Sequence, residues 1–239
     1  MRIGDSVSLK RALYIDKVEE GIRWKSRMRW VKTLCMMTFF LLSSSFFVAC
    51  SESDGDETDE FADWQSKNDT YFSNIYNQAK SDKSGKWKVL TNWSINDDVA
   101  KDVDHVVVEV LKSGTGSGCP IFSDSVRVHY RGQLIPTAKH PDGYQFDSSY
   151  TGELDVETAV PTKFGVSNLR DGFSTAIQYM HIGDFWRVYV PYQLGYGAAV
   201  QTNIPAYSTL IFYIYLDSYY HPGKLVPDWQ AKEIGWIEE

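Results

Sequence analysis

The pattern of apolar and polar residues changes twice along the chain. Residues 34–48 form a continuous uncharged run, and between Phe61 and Lys80 the apolar residues recur three and four positions apart. From His105 onward apolar and polar residues mostly alternate, and β-branched residues become frequent. These patterns are typical of a leader segment, an amphipathic helix and a set of β-strands, respectively.

The amphipathic pattern predicts a helix within an N-terminal helical segment that we assign to residues 61–103. The apolar face of this helix consists of Phe61, Trp64, Tyr71, Phe72, Ile75, Tyr76 and Ala79. We expect this face to pack against the domain that follows, because one such helix rarely folds alone. Dimerisation, or holding of a client protein, is the alternative use. Residues 87–95 are predicted to form a loop or a short strand.

The alternating half of the chain predicts several strands and a single helix. Strands are expected at residues 105–111, 125–134, 186–190 and 210–216, and helical spacing covers residues 171–180. The predicted fold class is therefore α+β, in which an antiparallel sheet of about five strands curls around one short helix. The N-terminal helical segment precedes this sheet. With 43% hydrophobic residues, the chain has enough apolar material for a core.

The uncharged run has the features of a bacterial lipoprotein signal. Positively charged residues precede it, and fifteen residues are too few for a typical membrane-spanning helix. Residues 47–50, Phe-Val-Ala-Cys, resemble a lipobox, which predicts a signal peptide over residues 28–50 and a lipid on Cys50. Met28 would then be the true start, and residues 1–27 a start-site extension. A plain signal with an incidental cysteine is the alternative.

Charge is unevenly distributed along the chain. Residues 1–50 hold nine Lys/Arg and four Asp/Glu, whereas the remainder holds 15 basic and 27 acidic residues. So acidic a body does not attract nucleic acid, which we exclude as a main partner. Residues 51–60 contain six acidic residues and predict an extended tether. This tether resembles the acidic export tags of Bacteroidetes surface lipoproteins, so we expect a lipid-anchored envelope protein at the outer membrane.

The cysteines and histidines do not suggest metal or thiol chemistry. Of three cysteines, only Cys119 lies in the predicted folded body. We interpret Cys119 as a small residue in a turn before Pro120 and not as a catalytic thiol. The five histidines are scattered without the spacing of metal ligands. We therefore expect no metal and no cofactor.

Six segments of the C-terminal half resemble, in order, motifs of FKBP-type peptidyl-prolyl cis/trans isomerases. The resemblance covers about residues 104–219. Together with the lipoprotein-like leader, it makes the chain similar to the envelope lipoprotein members of this family from Bacteroidetes. It predicts an isomerase domain over residues 104–220 and a C-terminal tail over 221–239 that packs on the sheet. The segments are Val128–Leu134, Asp142–Ser149, Asp171–Phe173, Met180–Asp184, Val190–Gly197 and Ile204–Phe212.

The resemblance implies a catalyst that works without acid–base chemistry. An apolar pocket would hold the prolyl ring and stabilise the twisted amide during folding of exported proteins. Proline-containing polypeptides and tacrolimus-type ligands would bind in this pocket. The implied catalytic residues are Tyr130, Asp147 and Tyr196. The implied substrate-binding residues are Phe146, Leu169, Arg170, Phe173, Ile204 and Phe212, with Phe173 as the floor and Arg170 acting through its backbone N–H.

Some positions depart from the family pattern. Phe173 replaces the usual Trp, Arg170 replaces an aliphatic residue, and Thr162 stands where an aromatic wall residue is usual, for which Phe164 could compensate. The arginine that usually pairs with the acidic residue is missing. A low-activity peptide-binding or chaperone module using the same groove is therefore the alternative function. A structural surface lipoprotein that binds no peptide is a third.

Overall fold

The computed structural model describes residues 59–222. The predicted start-site extension, signal peptide, lipidated Cys50 and nearly all of the acidic tether lie outside these residues. The C-terminal tail from residue 223 onward lies outside them as well. Within the described part of the chain, no helix is long and apolar enough to cross a membrane.

Two α-helices, four short 3-10 helices and seven strands are present in the described part of the chain. The α-helices are α1 (Trp64–Ser81) and α2 (Asp171–Ile177). The strands are β1 (Trp87–Thr91), β2 (His105–Lys112), β3 (Ser125–Leu134), β4 (Gln145–Ser148), β5 (Thr162–Gly165), β6 (Phe185–Val190) and β7 (Leu210–Tyr220).

All seven strands belong to one antiparallel sheet. The order is β1-β2-β6-β7-β3-β4, and β5 pairs with the first half of β3 on the side that β4 leaves free. The long strands β3 and β7 run side by side at the centre, with a register shift between Arg127 and Val128. Because a bulge bends the strand that carries it, this shift helps the sheet to curve.

The predicted combination of helices with an antiparallel sheet is confirmed, but the expected number of about five strands is wrong. The additional strands are short: β4 and β5 have four residues each, and β1 has five. Their side chains are mostly exposed or half-buried, so they lack a strong alternating pattern. Pairing with β3 makes β4 and β5 strands. Strand β1, which pairs with β2, is the short strand that was one of the two alternatives for residues 87–95. Helix α2 also ends at Ile177, three residues earlier than predicted.

Helix α2 packs closely on the concave face of the sheet. Its second residue is Gly172, where an added Cβ would lie 2.3 Å from Cγ1 of Val190 and 3.2 Å from Cγ1 of Val106. Only glycine therefore allows the first turn of α2 to approach β2 and β6 so closely. The fully buried residues on this side include Ile177 of the helix and Val188 of the sheet.

Helix α1 covers the opposite face of β1, β2 and β6. This explains why the consecutive residues Val106, Val107 and Val108 of β2 are all completely buried. Tyr189 of β6, which pairs with Val107, contacts the Tyr71 ring of α1 at a centroid distance of 6.4 Å. The predicted apolar face of α1 thus packs against the sheet.

Two buried hydrogen bonds also join α1 to the segment that enters β7. The indole N–H of Trp64 donates to Oγ of Ser208 over 2.8 Å. The backbone N–H of Thr209 donates to Oδ1 of Asn68 over 2.7 Å. The helix therefore holds the start of β7 in place, close to the cavity described below.

Candidate active site

A cavity of about 290 Å³ opens on the concave side of the sheet, at the N-terminal end of α2. Strands β3 to β7, helix α2 and the loops before α2 and after β6 contribute to it. The lining residues are Tyr130, Phe146, Asp147, Phe164, Asn168, Leu169, Arg170, Phe173, Val190, Tyr196, Leu210 and Phe212.

Aromatic rings in edge-to-face contact form the interior of the cavity. Phe173 of α2 meets Phe212 of β7 at a centroid distance of 5.0 Å and an interplanar angle of 79°. Phe212 meets Phe146 at 5.7 Å and 90°, and Phe173 meets Tyr130 at 6.2 Å and 86°. Edge-to-face packing is favourable for aromatic rings and restricts their orientation. The cavity thus has a preformed apolar floor.

Gly132 of β3 makes room for two of these rings. It pairs with Phe212 across the sheet. A Cβ at this position would lie 2.5 Å from Cε2 of Phe146 and 2.9 Å from Cε1 of Phe212. The absence of a side chain on Gly132 therefore allows both rings to lie against the β3 backbone.

The polar part of the cavity is built around Tyr130 and Asp147. The Tyr130 hydroxyl donates to Oδ2 of Asp147 over 2.7 Å, and Oδ1 of Asp147 accepts from the backbone N–H of Ser148 over 2.8 Å. Burial, followed by the hydrogen bond and the negative charge of Asp147, raises the pKa of Tyr130 well above its ordinary value. Tyr130 is therefore a neutral hydrogen-bond donor at physiological pH.

The structure brings eight of the nine predicted pocket residues to this cavity. The exception is Ile204, which lines a second cavity of about 480 Å³ together with Phe61, His140 and Tyr144. Ile204 forms an isolated bridge with Gln201, and its buried side chain contributes to that other wall. Placement in one cavity does not assign roles, so the proposed roles in catalysis stay predictions.

Sequence reasoning missed some of the lining residues. Asn168 carries no distinguishing signal. Val190 and Leu210 lie within two of the six resembling segments, but they were not assigned to the pocket. Thr162 does not line the cavity, whereas Phe164 does, with its ring 5.6 Å from that of Tyr130. Phe164 is two residues farther along β5, so it lies on the same side of the strand.

Cys119 does not belong to this site. It is a free, half-buried cysteine whose Sγ lies 3.7 Å from Nε2 of His181. Burial, followed by the charge of Asp184, raises the pKa of this thiol and so disfavours the nucleophilic thiolate. Among residues 59–222, no group of three potential metal ligands comes together.

Comparison with known families shows what the segment around this cavity is similar to. Residues 120–217 match the family model described as FKBP-type peptidyl-prolyl cis-trans isomerase. This segment contains strands β3 to β6, most of β7, all of α2 and every residue that lines the cavity. The segment that forms the cavity is therefore similar to domains of this family.

Individual relatives share this domain over part of their length. The chain is 35% identical over 128 residues to the macrophage infectivity potentiator of Trypanosoma cruzi, covering 53% of this chain and 59% of the relative. It is 38% identical over 111 residues to the outer membrane protein MIP of Legionella longbeachae, covering 46% and 42%. The chain thus spans about half the length of these curated relatives. The crystal structure of FkpA from Escherichia coli has a TM-score of 0.47 at 26% identity, covering 65% of this chain and 61% of that chain.

Proposed function

We propose that the protein is a peptidyl-prolyl cis/trans isomerase that assists the folding of exported proteins. The observation that carries this proposal is the apolar, aromatic-lined cavity with Tyr130 and Asp147 at its polar side, within the segment that matches the FKBP family. Prolyl isomerisation takes tens to hundreds of seconds without a catalyst and can limit folding. A catalyst for this step therefore benefits newly exported chains.

The cavity lowers the barrier to rotation by binding the twisted amide more tightly than the planar one. The uncatalysed barrier is ~18–20 kcal/mol, because rotation breaks the resonance of the peptide bond. Twisting makes the amide less polar, so a water-excluding aromatic floor around Phe173 favours the twisted form. The Tyr196 hydroxyl and the Arg170 backbone N–H hold the flanking carbonyl groups. The Tyr130–Asp147 pair orients the wall of the pocket.

No proton transfer is needed in this mechanism. An ordinary tyrosine is protonated at neutral pH, and the pKa of Tyr130 is raised further, so Tyr130 remains a donor to Asp147. We expect the catalysed rate to be nearly constant between about pH 7 and pH 9, because neither tyrosines nor carboxylates ordinarily change their charge state in this range. A steep bell-shaped profile in this range would contradict the mechanism.

A direct test measures cis-to-trans exchange of a Leu-Pro tetrapeptide by NMR with the purified full chain. We expect acceleration by the wild type and loss of most of it in the double variant Tyr196→Phe with Asp147→Ala. Circular dichroism of both proteins controls for folding. Peptide binding without acceleration would instead support a low-activity binding or chaperone module that uses the same groove. Absence of both binding and acceleration would contradict both functions.

The cavity also provides the binding site that we propose for tacrolimus-type ligands. Such ligands would place an apolar ring against Phe173 and Phe212, as a prolyl ring would. Calorimetric titration of the full chain measures this affinity. A ligand that binds but leaves isomerisation unchanged would show that it occupies another site.

We further propose that Cys50 anchors the protein to the outer membrane through a lipid. The lipobox-like residues 47–50 and the acidic residues after them, which resemble export tags of Bacteroidetes lipoproteins, support this proposal. The name of the Legionella longbeachae relative also places that protein in the outer membrane. Cys50→Ser should abolish incorporation of a labelled fatty acid and move the protein from the membrane to the soluble fraction. Unchanged labelling of the variant would refute lipidation at Cys50.

A further inference from the structure

A positive charge lies at the mouth of the cavity, on a residue considered so far only for its backbone. Arg170 is the last residue before α2, and its side chain is exposed. Its guanidinium carbon lies 4.9 Å from the centroid of the Tyr196 ring, a cation–π arrangement. Both residues line the cavity, so the contact with the Tyr196 ring keeps the charge close to the space that a substrate would enter.

The negative charge at the cavity, on Asp147, already has hydrogen-bond partners within the protein. Asp147 is the one carboxylate in its lining, and both of its oxygens accept hydrogen bonds, from the Tyr130 hydroxyl and the Ser148 backbone N–H. In the chain from residue 59 to 222, Arg170 takes part in no ion pair and contacts Tyr196 through its guanidinium. The N–H donors of this guanidinium are therefore available to a ligand.

We infer that Arg170 makes the site select proline-containing polypeptides that carry an acidic residue next to the proline. This inference rests on the proposed isomerase function and specifies its substrate class. The aromatic floor takes the prolyl ring, while the guanidinium at the mouth attracts the carboxylate of the adjacent side chain. A planar guanidinium matches a carboxylate with two parallel hydrogen bonds, which a neutral amide cannot reproduce.

The size of the effect follows from the exposure of Arg170. Exposed ion pairs contribute little, so we expect a preference of about two- to fivefold for glutamate over glutamine. Because water and salt screen exposed charges, this preference should shrink strongly between low ionic strength and about 1 M salt. A preference caused by side-chain shape would not depend on salt.

The experiment compares peptides that differ in one charge. One pair carries Glu or Gln immediately before the proline, and the other pair carries Glu or Gln immediately after it. NMR exchange, which needs no coupled protease, gives the catalysed rate per enzyme concentration for each peptide with the full chain. We expect the Glu peptide of at least one pair to react about two- to fivefold faster. Arg170→Gln should bring this ratio to about one, whereas Arg170→Lys, which keeps the charge but not the planar donor geometry, should retain only part of it.

A matched control separates a local effect from the total charge of the protein. Lys67 lies on α1 and lines a different cavity, so Lys67→Gln removes the same charge elsewhere and should leave the Glu/Gln ratio unchanged. Equal rates within both pairs, an unchanged ratio in Arg170→Gln, or a lower ratio in Lys67→Gln would each overturn the inference while leaving the isomerase function intact. Absence of acceleration for all peptides would instead refute the proposed function.

Discussion

Gly132 shows how one missing side chain shapes the candidate site. Its position on β3 lies beneath the rings of Phe146 and Phe212, where an added Cβ would approach atoms of both rings closer than 3.0 Å. The two rings contact each other edge to face, so one cannot move without disturbing the other. The cavity therefore depends on a residue that does not itself line it.

Substitution Gly132→Ala tests this dependence. We expect the overpacked core to lose about 1–3 kcal/mol of unfolding free energy, and the isomerase rate to fall as the rings shift. Urea unfolding and NMR exchange measure the two effects. The prediction fails if the variant keeps both the stability and the activity of the wild type.

His129 is a buried titratable residue that the proposed mechanism does not use. It is completely buried, and neither ring nitrogen has a hydrogen-bond partner among the described residues. Burial lowers the pKa of His129, and the charge of Asp217 opposes this effect only in part. The folded state therefore favours the neutral imidazole.

This lowered pKa makes stability depend on pH. Above the unfolded-state value of about 6.5, both states hold a neutral His129 and stability is complete. Below it, the unfolded chain binds a proton that the folded chain does not, so stability falls by up to about 1.4 kcal/mol per pH unit. We expect urea unfolding at pH 7.5, 6.5 and 5.5 to show this loss, and His129→Leu to reduce it. An equal loss in both proteins would contradict the prediction.

At the level of elements, α1 not only packs its apolar face on the sheet but also makes buried hydrogen bonds to the segment that enters β7. Asn68 is a completely buried polar residue whose Oδ1 accepts the Thr209 backbone N–H, one residue before β7 begins. Its amide nitrogen donates to the Trp64 carbonyl over 2.7 Å, so both ends of the side chain are bound. The helix thereby fixes the entry to the strand that carries Phe212.

Asn68→Ala would leave the Thr209 N–H buried without an acceptor. The expected cost is about 1–3 kcal/mol of unfolding free energy. Asn74→Ala, at an exposed position of the same helix, is the matched control and should cost less than about 0.5 kcal/mol. Similar costs in the two variants would show that the buried hydrogen bond does not stabilise the domain.

For the whole molecule, the two faces of the sheet depend on each other. The concave face holds α2 and the cavity, while α1 covers Val107 and Tyr189 on the opposite face. A chain that begins at residue 104 would expose these side chains and lose strand β1. Each large apolar side chain uncovered costs roughly 1.5–3 kcal/mol.

We therefore predict that the full chain is markedly more stable to urea than a chain that begins at residue 104. The longer chain should unfold α1 and the sheet in one transition, which far-ultraviolet dichroism and tryptophan fluorescence would report at the same midpoint. Separate midpoints for the two signals would indicate that α1 is not part of the cooperative unit.

Much of this arrangement could be predicted from sequence because it depends on local periodicity or on ordered motifs. The spacing between Phe61 and Ala79 predicted α1, and alternation predicted the long strands β2, β3, β6 and β7. The resemblance predicted eight residues that line one cavity, including Tyr130 and Asp147. Short strands such as β4 could not be predicted, because four residues carry too little pattern.

Sequence by itself determined which segments become helices and long strands, since those choices depend on the spacing of apolar residues within each segment. It also determined the residues available to the cavity. Tertiary structure alone decided that Ile204 faces another cavity, that Asn68 holds Thr209 and that the Arg170 guanidinium lies beside the Tyr196 ring. The last two contacts join residues far apart along the chain, and the orientation of Ile204 depends on neighbours from other elements. Packing of the whole sheet and both helices is therefore needed to set them.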